Sequence, residues 1–448
     1  MSGGAATDRT ISGHPRGLYY LAFTELWERF SYYGMTALLT LYMVKQLLLP
    51  GHAENVLGLH ALRQMFEFRG PMSDLAFASL LYGWYAGLVY FTPILGGLIA
   101  DRWLGAKRTV TLGALLMAGG HLAMSFDASF LAALLLLILG SGCLKGNISA
   151  QVGTLYPEAA ASLRERGFTI FSTAINVGAV IGPLATVTVA EFYGWHAGFA
   201  LAAALMLLAL GVYLAGQRHL PEARRKADDA NQAALTPAEK RRAWALVILI
   251  GLVIPVSTAY PMLWSIGIVW VDQHVSLGTA IGSVPAGWFN SLDSLGSILA
   301  AAPLVALWAA QARRNAEPAS LTKIAIGSVV MSLSIVLLAA GSLLAGEGKV
   351  AVWWAIAGYL GSGLAFMWYW PVTLSMVAAL APSRVRSTLM GGSFLAAFLG
   401  TVIMGWVGSF YDQMTPVSFW TLDASISLAG AALIFIFRRP LERMLALQ

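Results

Sequence analysis

The sequence predicts an all-α polytopic membrane protein whose twelve transmembrane helices form two six-helix bundles. Composition is the first reason: of 448 residues, 58% are hydrophobic and only 11% charged, against about 25% charged in soluble domains. Repetition is the second. Apolar stretches close to or above the roughly 20 residues needed to span a bilayer recur near residues 18–49, 76–100, 109–125, 129–155, 167–189, 196–217, 243–272, 285–311, 324–345, 350–381, 387–410 and 416–437. Charge placement is the third. Lys45, Arg63, Arg69 and Lys349 fall on one side of that count, Arg29 and Lys145 lie inside helices, and the other lysines and arginines fall on the opposite side. Positive loops stay in the cytoplasm, so both termini are placed there, in a bacterial inner (plasma) membrane.

The same features exclude several classes. The net charge of +6 follows from loop placement, and no nucleic-acid module is present. One cysteine, Cys143, rules out an intrachain disulfide. The N-terminus is polar to Arg16 and lacks the apolar core of a signal peptide. No P-loop points to ATP. His14, His52, His60, His196, His219 and His274 fall in tails or loops, and His121 reads as a satisfied interfacial group near the outer end of helix three. No His/Cys/carboxylate spacing suggests a metal. No cofactor and no obligate protein partner are implied; the bilayer is the surrounding partner.

The first segment holds the charges around which the other helices must close. Glu25, Glu28 and Arg29 share one helix face. Ionised groups at membrane depth cost at least a few kcal/mol each and persist beside a partner or a wet cavity. Arg29 can neutralise one carboxylate, and the other needs a proton or a second cation. A lock on packing is the bland reading of this patch, and a functional site is the better one. Residues 50–75 interrupt the run outside the membrane, where 61–68 could form a short helix. At the end of helix two, Gly97, Asp101, Arg102 and Gly105 form a glycine-flanked charged turn suited to gating, with Asp101 able to cap a helix or meet a cation. In helix four, Lys145 either snorkels or faces inward as the cation the glutamate pair lacks; the second reading is preferred.

Residues 218–242 are the one long polar segment, with Pro221, Pro237 and many cations. They divide the chain into an N-terminal bundle, 1–217, and a C-terminal bundle, 243–448. A 6+6 chain with a cytoplasmic tether has the layout of major facilitator transporters.

The motifs narrow this further. Glu25-Leu26-Trp27-Glu28-Arg29-Phe30-Ser31-Tyr32-Tyr33-Gly34 resembles the helix-one E-x-x-E-R-F-x-Y-Y-G motif of the proton-dependent oligopeptide transporter family. Leu88 to Gly96, Lys145 with Asn147, and Gly167 to Gly178 are similar to its helices two, four and five. The resemblance implies a proton-coupled symporter that imports di- and tripeptides by alternating access, with protons as the coupling ion. It implies proton coupling at Glu25, Glu28 and Lys145. It also implies that Arg29 and Lys145 hold the peptide carboxylate, and that Tyr33, Tyr90 and Asn176 line the pocket.

The C-terminal half departs from the family pattern. The helix-ten glutamate position is Phe366, the serine before Pro371 is Trp370, and Ser265 to Val269, just after Trp264 on helix seven, hold no acid. Trp264, Phe366 and Trp370 are therefore candidate pocket residues. Asp293 is read as the one acid inside this half. It serves either as amine ligand or second proton carrier, or else accepts local hydrogen bonds near a helix end from Ser291, Ser294 or backbone. Two other functions compete: a proton-coupled carrier of a different carboxylate-bearing or amphipathic solute, and a non-transporting receptor or membrane enzyme.

Overall fold

The computed structural model describes residues 10–157, 160–221, 235–279 and 282–445. The tail to residue 9 and the middle of the charged 218–242 segment lie outside the described residues. In chain order the helices are α1 (Arg16–Tyr42), α2 (Leu59–Phe66), α3 (Asp74–Ile99), α4 (Ala106–Ala123), α5 (Phe130–Thr154), α6 (Ala161–Tyr193) and α7 (Trp195–Gly216). They continue as α8 (Pro237–Leu252), α9 (Ile254–Met262), α10 (Ile268–His274), α11 (Phe289–Ala312), α12 (Ser320–Ala345), α13 (Val352–Leu380), α14 (Arg386–Gly408) and α15 (Pro416–Leu445). Two very short antiparallel strand pairs, Thr10–Ile11 with His14–Pro15 and Gly278–Thr279 with Gly282–Ser283, complete the regular structure.

Ten helical segments among the described residues are long and apolar enough to cross a membrane. α1 and α4 supply the other two of the twelve expected spans. α1 is 27 residues long, about 40 Å at 1.5 Å per residue, but carries Glu25, Glu28 and Arg29. α4 has 18 residues and opens on Lys107 and Arg108. The seventh span is a composite of α8, α9 and α10, with a π-helical turn at Leu263–Gly267 around Trp264. Large apolar side chains are turned outward along the spans: Leu207, Leu299, Leu343 and Phe435 are more than half exposed. A water-soluble surface rarely shows such a belt; lipid tails satisfy it.

The chain divides into two compact units. One holds the described residues of Met1–Thr36, Asn55–Leu57 and Thr92–Asp228; the other holds those of Ala37–Glu54, Gly58–Phe91 and Asp229–Gln448. α1 and α3 thus each contribute to both.

Small residues set the helix spacing in the first unit. A Cβ on Gly178 or Gly182 of α6 would lie 2.3 Å from the Leu26 carbonyl oxygen or 2.5 Å from that of Phe30. One on Gly34 would lie 2.2 Å from Thr186 Oγ1. α1 and α6 therefore touch along their backbones, at the level of the charged turn. α3 and α5 do the same: a Cβ on Gly96 would fall 2.0 Å from the Gly142 oxygen. Thr92 donates to the Ile138 carbonyl at 2.9 Å, and Asn147 donates to those of Gly96 and Cys143 at 3.2 and 2.8 Å. Gly178→Ala is expected to destabilise the protein by about 1–3 kcal/mol through overpacking, read as a lower thermal midpoint. Gly211→Ala, with open space around its Cβ position, is the control that leaves the midpoint unchanged or raised.

In the second unit α12 packs on α13 and α15, and α11 on α13. The short helix expected within residues 50–75 is present as α2. Arg63 ties it to the start of α3, donating to Glu67 at 2.9 Å, Asp74 at 2.7 Å and the Met72 carbonyl at 2.9 Å. The Arg63 guanidinium, helped by the Met72 N–H, holds the Glu67 carboxyl below the usual carboxylate range.

Candidate functional site

Each unit carries a cluster of buried polar side chains. In the first, Glu25, Glu28 and Arg29 are 1%, 0% and 8% exposed. The i, i+4 spacing lets Arg29 Nε donate to Glu25 Oε1 at 2.7 Å. Glu28 Oε2 is only 2.8 Å from the same nitrogen, yet neither Glu28 oxygen accepts a hydrogen bond. One N–H cannot serve two acceptors well, and Glu25 has it. Glu28 is the surplus carboxylate that the sequence required.

Lys145 of α5 faces inward, as preferred. Its ammonium sits 4.1 Å from the centre of the Tyr32 ring, a cation–π contact, within coulombic reach of Arg29, Glu28 and Glu25. Neither Glu28 oxygen is hydrogen-bonded to it. Tyr33 is half-buried and packs edge-on against Tyr32 at 5.3 Å. Asn176 is half-buried on α6, two residues before the Gly178 contact.

The turn after α3 is a π-helical segment, Ala100–Leu104, closed by Gly105 at φ 76°, a conformation that favours glycine. Asp101 and Arg102 are exposed. α4 starts from Gly105 without a side-chain cap, so the capping role considered for Asp101 is not observed. Gly97 has open space around its Cβ position.

In the second unit, Asp293 lies in the second turn of α11 and is 2% exposed. A Cβ on Gly363 would sit 2.0 Å from the Asp293 carbonyl oxygen, and one on Gly296 2.3 Å from that of Leu360. α11 and α13 can therefore touch, which brings Ser362 to the aspartate. Tyr260 donates to Asp293 Oδ2 at 2.7 Å and Ser362 to Oδ1 at 3.1 Å. These partners come from α9 and α13, not from the neighbours in sequence that were considered. Tyr260 stacks on Phe366 with centroids 5.3 Å apart and meets Trp264 edge-on at 5.2 Å. Trp370 packs edge-on against Tyr369 and Phe394. Tyr90 is half-buried in the same unit, within coulombic reach of Tyr369.

Comparisons with known proteins identify the family. A family model described as PTR2, POT family, matches residues 107–236 and 229–421. The chain belongs to the POT family. It is 30% identical to the Di-/tripeptide transporter of Lactococcus lactis subsp. lactis (strain IL1403) over 98% of both chains. To the peptide transporter YePEPT of Yersinia enterocolitica it is 28% identical, over 98% of this chain and 96% of that one. It superposes on the crystal structure of a peptide transporter POT in complex with sulfate with a TM-score of 0.81 at 27% identity, covering 98% of this chain and 97% of that one. This POT-family chain is an integral membrane transporter with the major facilitator fold, not an enzyme.

Two buried groups in this POT-family member were misread from sequence. Asp423 of α15 is 0% exposed, so Asp293 is not the one acid inside the second half. The signal was present: Asp423 is the single charged residue between Pro416 and Phe437, and an ionisable residue in an apolar span is a site by default. His121 of α4 is 0% exposed, with neither ring nitrogen hydrogen-bonded. It is a buried ring, not a satisfied interfacial group. Among the described residues no group of three His, Cys, Asp or Glu could hold a metal.

Proposed function

We propose that this transporter imports di- and tripeptides, or solutes of closely similar chemistry, together with protons, and that Glu28 carries the coupling proton. The observation that carries the reading is the surplus carboxylate. Arg29 gives its Nε–H to Glu25, while Glu28 is buried with neither oxygen hydrogen-bonded. A carboxyl so placed needs a proton or a cation. Arg29, 2.8 Å away, is shared with Glu25, and Lys145 is the second cation near it. When Glu28 holds the proton, Lys145 stays on Tyr32 or engages a substrate carboxylate with Arg29; when Glu28 loses it, Lys145 swings to the anion.

Of the candidate substrate-contacting residues, Tyr33 and Asn176 belong to the first unit and Tyr90, Trp264, Phe366 and Trp370 to the second. The turn of Gly97, Asp101, Arg102 and Gly105 is the candidate gate. Residues 1–217 and 243–448 act as the two moving halves, tethered by 218–242. The cytoplasmic placement of both termini rests on the Lys and Arg asymmetry, and the placement in a bacterial inner (plasma) membrane is supported by the bacterial relatives. The substrate class is supported by the names of the Lactococcus and Yersinia relatives.

Phe366 favours a second reading. An aromatic ring stacked on Tyr260 stands where the family pattern has a glutamate, which suits a carboxylate-bearing solute without an ammonium. Competition separates the two: dipeptides should inhibit uptake of a labelled dipeptide more strongly than simple carboxylates of equal size. The reverse order would favour the second reading.

On the peptide reading Asp293 supplies the missing acid. Asp293→Asn is then expected to weaken free-amine dipeptides by about 1.5–3 kcal/mol, the scale of a charged hydrogen bond, and to leave N-acetylated analogues unchanged. If both substrate types lose gradient-driven accumulation but keep exchange, Asp293 carries a proton instead. Wild-type affinity together with wild-type uptake would leave it only an acceptor for Tyr260 and Ser362.

A further inference from the structure

Asp423 has no place in the cluster around Asp293 or in that around Glu28. It sits in the second turn of α15, which packs on α12, α9 and α8. It is fully buried, and neither carboxyl oxygen has a hydrogen-bond partner. The surrounding hydroxyls are committed elsewhere. Ser332 of α12 donates to the Ala424 carbonyl at 2.9 Å, Ser427 of α15 to the Ser328 carbonyl at 2.8 Å, and Ser328 to the Ile324 carbonyl at 3.2 Å. The first two of these bonds stitch α12 to α15 beside the aspartate. One turn outward, Trp420 meets Trp270 edge-on at 5.7 Å, and Trp270 donates to Ser342 at 3.1 Å. Both indoles are fully buried.

The titratable groups of the neighbouring elements lie elsewhere or are occupied. On α12, Lys323 pairs with Glu317 near the helix start. On α9, Tyr260 is bonded to Asp293. On α8, Glu239, Lys240, Arg241 and Arg242 lie in the first two turns. On α10, Asp272 pairs with Lys45 at 2.6 Å, and His274 ends the helix. Tyr411 packs against Phe419 at 4.9 Å. A carboxylate cannot be held there as an unpartnered anion, whereas the neutral acid can.

We propose that Asp423 is a second proton-binding site, separate from the helix-one carboxylates, which keeps its proton while the α12–α15 seam is closed and releases it when water enters that seam. In the release step the carboxyl O–H bond breaks, its electron pair stays on the carboxylate, and the proton passes to the entering water. The existence of the site stands on the burial and the missing partners. Its use in transport rests on the proton-coupled reading above.

The test separates the two. Infrared spectra of the purified full-length transporter in lipid bilayers at neutral pH are expected to contain a protonated-carboxyl C=O band. That band should disappear in Asp423→Asn and persist in Glu28→Gln. Asp423→Thr, also neutral and of similar bulk, should lose the same band, so misfolding of one variant leaves the test intact. In deuterated buffer the wild-type band should shift slowly without substrate and faster during dipeptide turnover. In proteoliposomes Asp423→Asn should transport fewer protons per dipeptide than the wild type while keeping dipeptide exchange. A spectrum in which neither variant removes a protonated-carboxyl band overturns the site. A band that is removed, with an unchanged proton-to-peptide ratio and no acceleration of deuteration by turnover, overturns its release through the seam, and proton coupling at Glu28 is untouched by either result.

Discussion

Glu28→Gln is expected to abolish gradient-driven accumulation while leaving counterflow exchange. One charge moving down 100 mV yields about 2.3 kcal/mol, enough to concentrate a substrate on the order of forty-fold. The variant should bring that ratio to unity. The reason is geometric. Glu28 is fully buried, and the nearest donor, Arg29 Nε, directs its proton to Glu25. Glutamine keeps the size of Glu28 but cannot gain or lose a proton, so the helix is fixed in its neutral state and substrate crosses only down its own gradient. Glu25→Gln should also stop accumulation, for a different reason. It replaces the anion bonded to a buried arginine by a neutral amide acceptor, and losing the charge of one partner in a buried pair costs up to about 3–5 kcal/mol. Glu25→Gln should therefore lower the thermal midpoint, and Glu28→Gln should not. Wild-type accumulation in both variants, measured as labelled substrate inside vesicles under an acid-outside gradient, would remove the proton from helix one.

The second large effect is at Lys145. Lys145→Ala is expected to stop accumulation and to weaken substrates with a free carboxylate by about 1.5–3 kcal/mol, roughly ten- to a hundred-fold in affinity. Amidated substrates present no full negative charge and should be little affected. The ammonium rests on Tyr32 at 4.1 Å, an interaction of about 0.5–2 kcal/mol, weak enough to be exchanged for a carboxylate on Glu28 or on the substrate. Equal losses for acid and amide forms, measured by competition against a labelled dipeptide, would reduce Lys145 to a structural role.

Much of the fold and of the first cluster was legible in the chain. Helical periodicity puts Glu25, Glu28 and Arg29 on one face whatever surrounds them, and the need to neutralise two carboxylates with one arginine is arithmetic. What the chain could not give was which glutamate takes the Nε–H, because that depends on side-chain rotamers. The resting place of Lys145 on Tyr32 was hidden because it depends on how α5 meets α1. Asp293 was visible, but its partners were not: Ser362 reaches it through the close approach of α11 and α13 at Gly363 and Gly296, and Tyr260 reaches it from α9, both set by packing between helices distant in sequence. Asp423 was legible and passed over. Its single acid in an apolar span obeys the rule that singled out Glu28, and it matched no family motif that would have drawn attention to it.

The most direct measurement of the central claim is uptake of a labelled dipeptide by proteoliposomes of the purified transporter under an imposed acid-outside gradient, with lumenal pH followed in the same vesicles. Proton-coupled peptide import predicts that the dipeptide rises above its external concentration, that the lumen acidifies in step with uptake, and that a protonophore abolishes both. Equilibration of the dipeptide with no added proton movement, or no flux across a panel of di- and tripeptides, would contradict it.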